Sequence, residues 1–328
     1  MAAITLGKAI NEGLRAAMTN DPKVLVMGED VGKLGGVFRI TDGLQKEFGE
    51  DRVIDTPLAE SGIMGTAVGL AMRGYRPVVE IQFDGFTYPA FDQMVSQVAK
   101  LHNRSHGHIR VPLTIRIPYG GGIGAVEHHS ESPEAYFAHT AGLKVVSPSN
   151  PLDGFVMIQQ AILSDDPIIF FEPKRRYYEK GEFELAGALD AAGPLFASRS
   201  LRAGDAATLV AYGPMVKTAL EASAAYEKET GRSLEVIDLR SISPLDLGPV
   251  VESVRRTGRC IVIHEAAGEA SVSSEVAARV QEEAFFSLEA PVIRVTGFDI
   301  PYPASRIEEE FLPDLDRILD AVDRSFGY

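Results

Sequence analysis

Residues 52–72, RVIDTPLAESGIMGTAVGLAM, pass directly from an extended segment into a helix. The extended segment ends at Pro57, and the helix is predicted to open at Ser61, which has the side chain of a typical N-cap. A strand that runs into a helix in this way is the repeating unit of a parallel α/β sheet. The helix is rich in small residues, which allow another backbone or a ligand to approach closely. They are Gly62, Gly65, Ala67, Gly69 and Ala71.

Short apolar runs alternate with helical periodicity on both sides of this stretch, which indicates an α/β fold throughout. In the first half, strands are predicted at 24–27, 78–83, 113–117, 143–146 and 168–171, and helices at 6–17 and 89–101. In the second half, strands are predicted at 207–212, 234–239, 260–264 and 292–295, and helices at 214–229, 246–257 and 272–285. Residues 177–194 are charged and Gly-rich without a sustained period, so a surface linker is predicted there. We therefore expect two α/β domains, 1–185 and 195–328.

The composition excludes several classes of function. The chain has 328 residues, of which 45% are hydrophobic, so two domains with sizeable cores are expected. A formal net charge of −14 argues against nucleic-acid binding, and the basic cluster at 174–176 is too short to change that. The N-terminus lacks the basic start and apolar core of a signal peptide, and no run approaches the roughly 18 apolar residues of a membrane span. A soluble, cytoplasmic protein is expected.

The single cysteine, Cys260, lies in the apolar run CIVI at 260–263. A buried small hydrophobe is the predicted role, and no intrachain disulfide can form. A lone thiol suits a reducing compartment.

Two segments of the first half carry candidate binding groups. Glu60 lies at the predicted helix start, where a carboxylate is favoured by the helix dipole or is held over a pocket. Residues 80–89, EIQFDGFTYP, follow a predicted strand into an aromatic loop, and open α/β sheets bind ligands at the carboxyl ends of their strands. Phe86 and Tyr88 are therefore either core residues or a platform for a planar ring.

A glycine-rich segment, YGGGIGA at 119–125, precedes two adjacent histidines, His128 and His129. Its spacing matches G-x-G-x-x-A, but no amphipathic helix opens there and no acid ends the next strand, so dinucleotide binding is rejected. A flexible loop that delivers histidines to a pocket is favoured, because histidine titrates nearest neutrality. For each histidine alone, a structural role and a functional role both remain open.

A second histidine cluster comprises His102, His106 and His108. A zinc site is the alternative, but no cysteine accompanies these residues and arginines flank them, so a solvated connection is favoured.

Taken together, these segments resemble the β subunit of the heterotetrameric 2-oxo acid dehydrogenases (the E1 components), which belong to the transketolase-like superfamily. The matching motifs follow the family order along essentially the whole chain. They are GEDVG at 28–32, RVIDTPLAE at 52–60, HSESPEA at 129–135, IDLR at 237–240 with Pro244, HEA at 264–266 and GFDIPYP at 297–303. The resemblance implies a pyrimidine-binding parallel-sheet α/β domain at 1–185 and a C-terminal transketolase-like α/β domain at 195–328.

The resemblance implies an enzyme that decarboxylates a 2-oxo acid oxidatively and acylates the lipoyl group of an E2 acyltransferase. The segments 80–83 and 89–93, together with the doubled histidine, look most like the branched-chain members. A pyruvate or acetoin dehydrogenase β subunit and a non-catalytic scaffold subunit are the alternatives. The chain is too short for a single-chain transketolase-type enzyme and lacks its diphosphate motif.

The resemblance also assigns site residues around thiamine diphosphate. Glu60 matches the carboxylate that hydrogen-bonds the pyrimidine ring nitrogen, and Phe86 matches the aromatic residue that stacks on that ring. Leu58 and Gln82 match further contacts around the ring. Glu29 resembles an acid in a buried polar path that links paired active sites.

His129 matches the histidine near the reacting carbon, where it is expected to assist proton transfer. Glu131 stands where the family motif has glutamine. A carboxylate two residues from His129 is expected to raise the pKa of that histidine if the two side chains point the same way.

The partners follow from a missing motif. The family holds the cofactor diphosphate and Mg²⁺ with a Gly-Asp-Gly motif of the α subunit, and this chain has no Gly-Asp-Gly. The resemblance therefore implies an α₂β₂ heterotetramer, active only with the α subunit, in which the second β domain docks the E2 core. None of this chain's residues is assigned to a metal. A structural K⁺ ion is a further family feature that no motif locates here.

Overall fold

The computed structural model describes residues 3–328, so the first two residues of the N-terminal segment lie outside it. The chain forms two compact units. Unit 1 contains residues up to Tyr119 and Tyr136–Leu195, and unit 2 contains Gly120–Ala135 and Phe196–Tyr328. The segment with the glycine-rich loop and His129 thus groups with unit 2. The domain ranges 1–185 and 195–328 stay predictions, whereas the two-domain α/β fold class is confirmed.

Unit 1 contains eight strands and most of the helices of the first half. The strands are β1 (Ala3–Thr5), β2 (Val24–Gly28), β3 (Val53–Asp55), β4 (Arg76–Glu80), β5 (Thr114–Tyr119), β6 (Lys144–Val146), β7 (Ile168–Pro173) and β8 (Lys180–Glu182). The helices are α1 (Leu6–Asn20), α2 (Leu44–Phe48), α3 (Glu60–Met72), α4 (Thr87–Asp92) and α5 (Leu101–Arg104), then α6 (Glu134–Ala138), which begins in unit 2, and α7 (Pro151–Leu163).

A parallel sheet forms the centre of unit 1, with strand order β6-β7-β5-β4-β2-β3. Nearly all residues of β2, β4, β5 and β7 are buried, which is why they appear in the sequence as unbroken apolar runs. Helices α1 and α7 pack closely, because Gly13 has no side chain: a Cβ there would lie 2.4 Å from Ile158 Cγ2. Because β2 pairs in parallel with both β3 and β4, the carboxyl ends of these three strands are neighbours at one edge of the sheet.

Three predictions about unit 1 are wrong in detail. Helix α3 begins at Glu60 rather than Ser61, and Ala59 is its N-cap residue without a side-chain cap bond. The predicted helix 89–101 is α4 followed by a π-helical stretch, Gln93–Val98, in which the amide of Ala99 bonds to the carbonyl of Met94. This wider turn shifts the helical register, which a constant 3.6-residue period does not anticipate.

The third difference concerns the predicted linker at 177–194. Its residues Lys180–Glu182 form β8, which pairs antiparallel with β1 at the other end of unit 1's sequence. Apolar residues that follow β8, among them Phe183 and Leu189, pack against a cluster that includes Phe155. The predicted linker is therefore part of unit 1. Local periodicity does not show this, because its strand partner, β1, is distant in the sequence.

Unit 2 has a second sheet with strand order β14-β13-β10-β11-β9, in which only β9 is antiparallel to its neighbour. The strands of this sheet are β9 (Arg199–Arg202), β10 (Ala207–Ala211), β11 (Leu234–Asp238), β13 (Cys260–Ala267) and β14 (Ile293–Gly297), while the short strand β12 (Ser241–Ser243) is not part of it. Its other helices are α8 (Met215–Thr230), α9 (Gly248–Thr257), α10 (Val272–Ala284), α11 (Glu308–Phe311) and α12 (Leu315–Phe326). The sequence reading did not include α12, whose Ile318, Ala321 and Val322 join the core.

Cys260 is fully buried at the start of β13, as predicted, and burial raises the pKa of its thiol to about 12. Within residues 3–328, every helix is too short or too polar to cross a lipid bilayer.

Candidate active site

The residues of unit 1 that are predicted to contact the cofactor all follow the ends of adjacent parallel strands. Glu29 follows β2, Leu58 and Glu60 follow β3, and Gln82 and Phe86 follow β4. Because β2 lies between β3 and β4, these residues lie at one edge of the sheet, where open α/β sheets bind ligands.

Two of the family motifs are held together at this edge. The amide of Gly32 donates to Asp55 Oδ1 at 2.6 Å, and the amide of Thr56 donates to the carbonyl of Gly28 at 2.9 Å. These bonds fix the GEDVG segment against the segment that leads into α3.

Glu60 is the first residue of α3, and only 9% of its surface is exposed. A carboxylate at this position meets the unpaired amides and the positive end of the helix dipole. It is the more buried of the two predicted site acids, Glu29 and Glu60.

Glu29 and Glu60 interact electrostatically. Burial, then the charge of Asp30 and then the charge of Glu60 raise the pKa of Glu29 above its ordinary value. Gln82 joins the pair through its Nε2 atom, which donates to the carbonyl of Glu29 at 3.4 Å. The structure therefore brings Glu29, Glu60 and Gln82 together.

The apolar residues of the site differ in exposure. Phe86 is half-buried, and its ring meets that of Phe83 edge to face, with centroids 6.0 Å apart and planes at 90°. Leu58 is 72% exposed and Tyr88 is 45% exposed. Neither side chain is a core residue of this chain, so each has surface left for a ligand or another chain.

His129 lies in unit 2, at the end of a 3₁₀ turn over Glu127–His129. Its Nδ1 atom lies 2.8 Å from the carbonyl of His128, and the two imidazole rings are 4.2 Å apart. His128 also pairs with Glu127, whose pKa is lowered by its own backbone amide and by the hydrogen bond from His128. His128 thus has an acidic partner of its own, while the backbone orients the ring of His129.

Comparison with known proteins identifies the family. Residues 2–180 match the family "Transketolase, pyrimidine binding domain", and residues 197–318 match "Transketolase, C-terminal domain". The chain is 61% identical over 326 residues to the pyruvate dehydrogenase E1 component subunit beta of Leifsonia xyli subsp. xyli, covering 99% of this chain and 96% of the relative. It is 52% identical over 322 residues to the 3-methyl-2-oxobutanoate dehydrogenase subunit beta of Mycobacterium tuberculosis, covering 98% of this chain and 92% of the relative.

The chain belongs to the β subunits of the 2-oxo acid dehydrogenase E1 components. The predicted family, fold and enzyme class are confirmed: the protein is a β subunit of an oxidoreductase. A solved "Split gene transketolase, inactive beta4 tetramer" has the same fold, with a TM-score of 0.81, 22% identity and 99% of both chains covered.

A network that the sequence reading missed lies at the ends of the central strands of this β subunit. The guanidinium of Arg116 on β5 donates to Glu80 at 2.5 Å and to both oxygens of Glu172 at 2.6 and 3.0 Å. The hydroxyl of Tyr177 donates to Glu172 at 2.5 Å, and all four side chains are buried. The sequence feature that could have indicated this network is Arg116 itself, a charged residue within the mostly apolar stretch TIRIPY at 114–119.

The basic cluster at 174–176 is not an exposed patch. Lys174 is buried, and its Nζ atom lies 2.8 Å from Asp84 Oδ1, which is also buried. This ion pair fixes the start of the loop that bears Phe86.

The cluster of His102, His106 and His108 is exposed, as a solvated connection should be. His102 Nδ1 bonds to the carbonyl of Ile109 at 2.9 Å. Across the described residues, 3–328, no three His, Cys, Asp or Glu side chains are arranged to hold a metal ion.

Proposed function

We propose that this β subunit, assembled with an α subunit, uses thiamine diphosphate to decarboxylate a 2-oxo acid and transfers the acyl group to a lipoyl group of an E2 acyltransferase. The observation that carries the proposal is Glu60, a buried carboxylate at a helix start, interacting with Glu29. The cofactor supplies a carbon nucleophile and an electron sink for the decarboxylation.

The residues at the strand ends fit the pyrimidine half of that cofactor. Glu60 offers a carboxylate that can hydrogen-bond a ring nitrogen, and Phe86 offers a half-buried aromatic ring. The exposed side chain of Leu58 and the amide of Gln82 offer further apolar and polar contacts. The burial of Glu60 and Phe86 favours a fixed ring orientation over a solvent-filled cleft.

Glu60 would hold a proton between its carboxylate and the ring nitrogen, which activates the exocyclic nitrogen as a base. Glu29 would belong to a polar path that links paired active sites, and the charge of the neighbouring Glu60 contributes to the raised pKa of Glu29. His129 would assist proton transfer at the substrate, as imidazole titrates near neutrality. A scaffold subunit would need none of these groups.

The partners are part of the same proposal. The α subunit would hold the diphosphate with Mg²⁺, because this chain has no Gly-Asp-Gly. An α₂β₂ heterotetramer would dock the E2 core through unit 2. The lone, buried thiol of Cys260 supports a reducing, cytoplasmic location.

The observations that bear on the preferred 2-oxo acid point in two directions. The segments 80–83 and 89–93 favour a branched-chain substrate, whereas the relative with 61% identity is named for pyruvate and the one with 52% for 3-methyl-2-oxobutanoate. The kcat/KM values of the assembled enzyme for pyruvate and 3-methyl-2-oxobutanoate decide between them. The branched-chain prediction fails if pyruvate has the higher value.

The central test replaces Glu60 by Gln in the α₂β₂ assembly. Glu50→Gln is the matched control, because Glu50 is exposed and lies outside the site. We expect Glu60→Gln to lower decarboxylation by about 100-fold or more, since proton transfer by a positioned group contributes that much. Thiamine diphosphate binding, measured by calorimetry, provides a second readout.

Two results would contradict the proposal. Decarboxylation by the chain without an α subunit would refute the shared active site. A fully active Glu60→Gln assembly would mean that another carboxylate contacts the cofactor.

A further inference from the structure

The glycine-rich loop of unit 2 is held by three side chains from the far end of the sequence. The amide of Gly121 donates to Glu265 Oε2 at 3.1 Å. The amides of Gly122 and Gly124 donate to the two oxygens of Glu308 at 3.0 and 2.7 Å. The hydroxyl of Tyr302 donates to Glu308 at 2.8 Å and lies 3.3 Å from the amide of Gly122. We call Glu265, Tyr302 and Glu308 the glycine-loop clamp.

The backbone of the loop is shaped for this clamp. Gly120, Gly122 and Gly124 all have left-handed φ angles, of 81°, 83° and 71°. Alternation between left-handed and ordinary conformations directs successive amides toward one side, where they bind an anion. Gly121 must lack a side chain for another reason, because a Cβ there would lie 1.9 Å from the hydroxyl of Tyr302.

All three clamp side chains are buried, which makes their hydrogen bonds hard to replace with water. Glu265 is 4% exposed, Glu308 is 6% exposed and Tyr302 is 9% exposed. Burial and then the hydrogen bond to Glu308 raise the pKa of Tyr302, so its hydroxyl stays protonated and keeps donating. The ring of Tyr302 packs against Phe311 of α11, with centroids 5.0 Å apart.

The same loop carries His129. It is closed at its base by the amide of Gly120, which donates to the carbonyl of Glu131 at 2.9 Å. The turn that presents His129 is completed by its own amide, which donates to the carbonyl of Val126 at 3.0 Å. One arm of the loop is thus bonded to the clamp, and the other arm bears the histidine.

We infer that Glu308 and Glu265 are positioning residues that fix the glycine-rich loop and thereby set the place of His129. The role for His129 rests on the proposed function, whereas the restraint on the loop does not. A displacement of about 1 Å of a reacting group can cost about 100-fold in rate, so the clamp matters to catalysis without touching substrate.

The first experiment measures amide hydrogen exchange over residues 119–131 in the α₂β₂ assembly. Glu308→Ala removes both acceptors, and we expect exchange of that segment to rise about ten-fold or more. Glu309→Ala is the matched control, because Glu309 is the next residue of α11 and is exposed. Glu308→Gln, which keeps one carbonyl acceptor, should give an intermediate rate and serves if the alanine variant does not fold. Unchanged exchange in both Glu308 variants would overturn the inference.

The second experiment is a double-mutant cycle on the kinetics of lipoyl acylation. Glu308→Ala should lower kcat about ten-fold to 100-fold with little change in KM, because it displaces a reacting group rather than a binding contact. In a His129→Ala background, Glu308→Ala should have no further effect, since the two substitutions act through one group. Equal, independent losses in both backgrounds would overturn the link to His129.

These outcomes are distinguishable from failure of the proposed function. If the wild-type assembly decarboxylates no 2-oxo acid, the proposed function fails. The exchange experiment still decides whether Glu308 restrains the loop.

Discussion

His264 is fully buried in β13, and its Nε2 atom lies 2.8 Å from Ser273 Oγ and 3.2 Å from Ser271 Oγ. Its ring stacks on Tyr212, with centroids 5.9 Å apart. Burial, followed by the charge of Arg294, lowers the pKa of His264 from 6.5 to about 4. The folded protein therefore keeps this imidazole neutral at pH values where an unfolded chain would protonate it.

This difference predicts a loss of stability in acid. As the pH falls from 6.5 to about 4, His264 binds a proton in the unfolded state but not in the folded state, so the free energy of unfolding declines. The shift corresponds to about 3 kcal/mol. His264→Gln should remove most of this pH dependence, whatever its effect at pH 7. Urea unfolding between pH 7 and pH 4 measures the slopes, and His108→Gln, at an exposed histidine, is the control. An unchanged slope in His264→Gln would show that other groups cause the acid sensitivity.

At the scale of elements, the network around Arg116 joins three strands of unit 1. Arg116 lies on β5, Glu80 ends β4 and Glu172 lies on β7, and all three side chains are at most 5% exposed. In the register of the sheet, Glu80 pairs with both Gly28 and Arg116. The network therefore fixes the strand end from which Glu29 follows.

Arg116→Met tests how much this network contributes to the free energy of unfolding. The substitution preserves much of the side-chain volume but leaves two buried carboxylates without their guanidinium, which costs about 3–5 kcal/mol. Arg110→Met is the control, because the Arg110 side chain is 65% exposed and its ion pair with Asp165 should contribute about 0–1 kcal/mol. Equilibrium denaturation of the two variants compares them. Equal losses would mean that the buried network adds no more than a surface pair.

Elements with a strong local signal could be predicted, and elements that depend on distant partners could not. The strand predicted at 24–27 and the helix predicted at 214–229 are present because an apolar run and a glycine at a helix end are local features of the sequence. The pairing of β8 with β1 escaped prediction, because the partners are almost 180 residues apart in sequence.

The same distinction applies to the site. The resemblance assigned Glu29, Glu60 and Gln82 to one active site, but the strand order that brings them to one edge of the sheet is not visible in the sequence. The motif resemblance supplied their chemistry. The glycine-loop clamp could not be predicted, since Glu308 lies 184 residues from Gly124 and nothing in either segment indicates the other.

At the scale of the whole molecule, one helix face is unusually open. Gly62, Gly65 and Gly69 are exposed along α3, and a Cβ at Gly69 would meet nothing within 4 Å. An exposed glycine within a helix costs about 0.5–1 kcal/mol relative to alanine, so three of them on one face weaken the isolated chain. We expect another backbone of the proposed heterotetramer to approach closely at this face, because only glycine leaves that space free.

Gly69→Leu should therefore separate assembly from folding. The isolated chain should keep or slightly raise its Tm, since the new side chain enters open space and improves helix propensity. Association with the α subunit should weaken about ten-fold to 100-fold, which corresponds to the 1–3 kcal/mol typical of an overpacked contact. Ala224→Leu, at an exposed position of α8, is the control and should leave assembly unchanged. Native mass spectrometry of titrated mixtures measures both variants. If Gly69→Leu assembled as well as the wild type, the face would be open in the heterotetramer, and the glycines would need a different explanation.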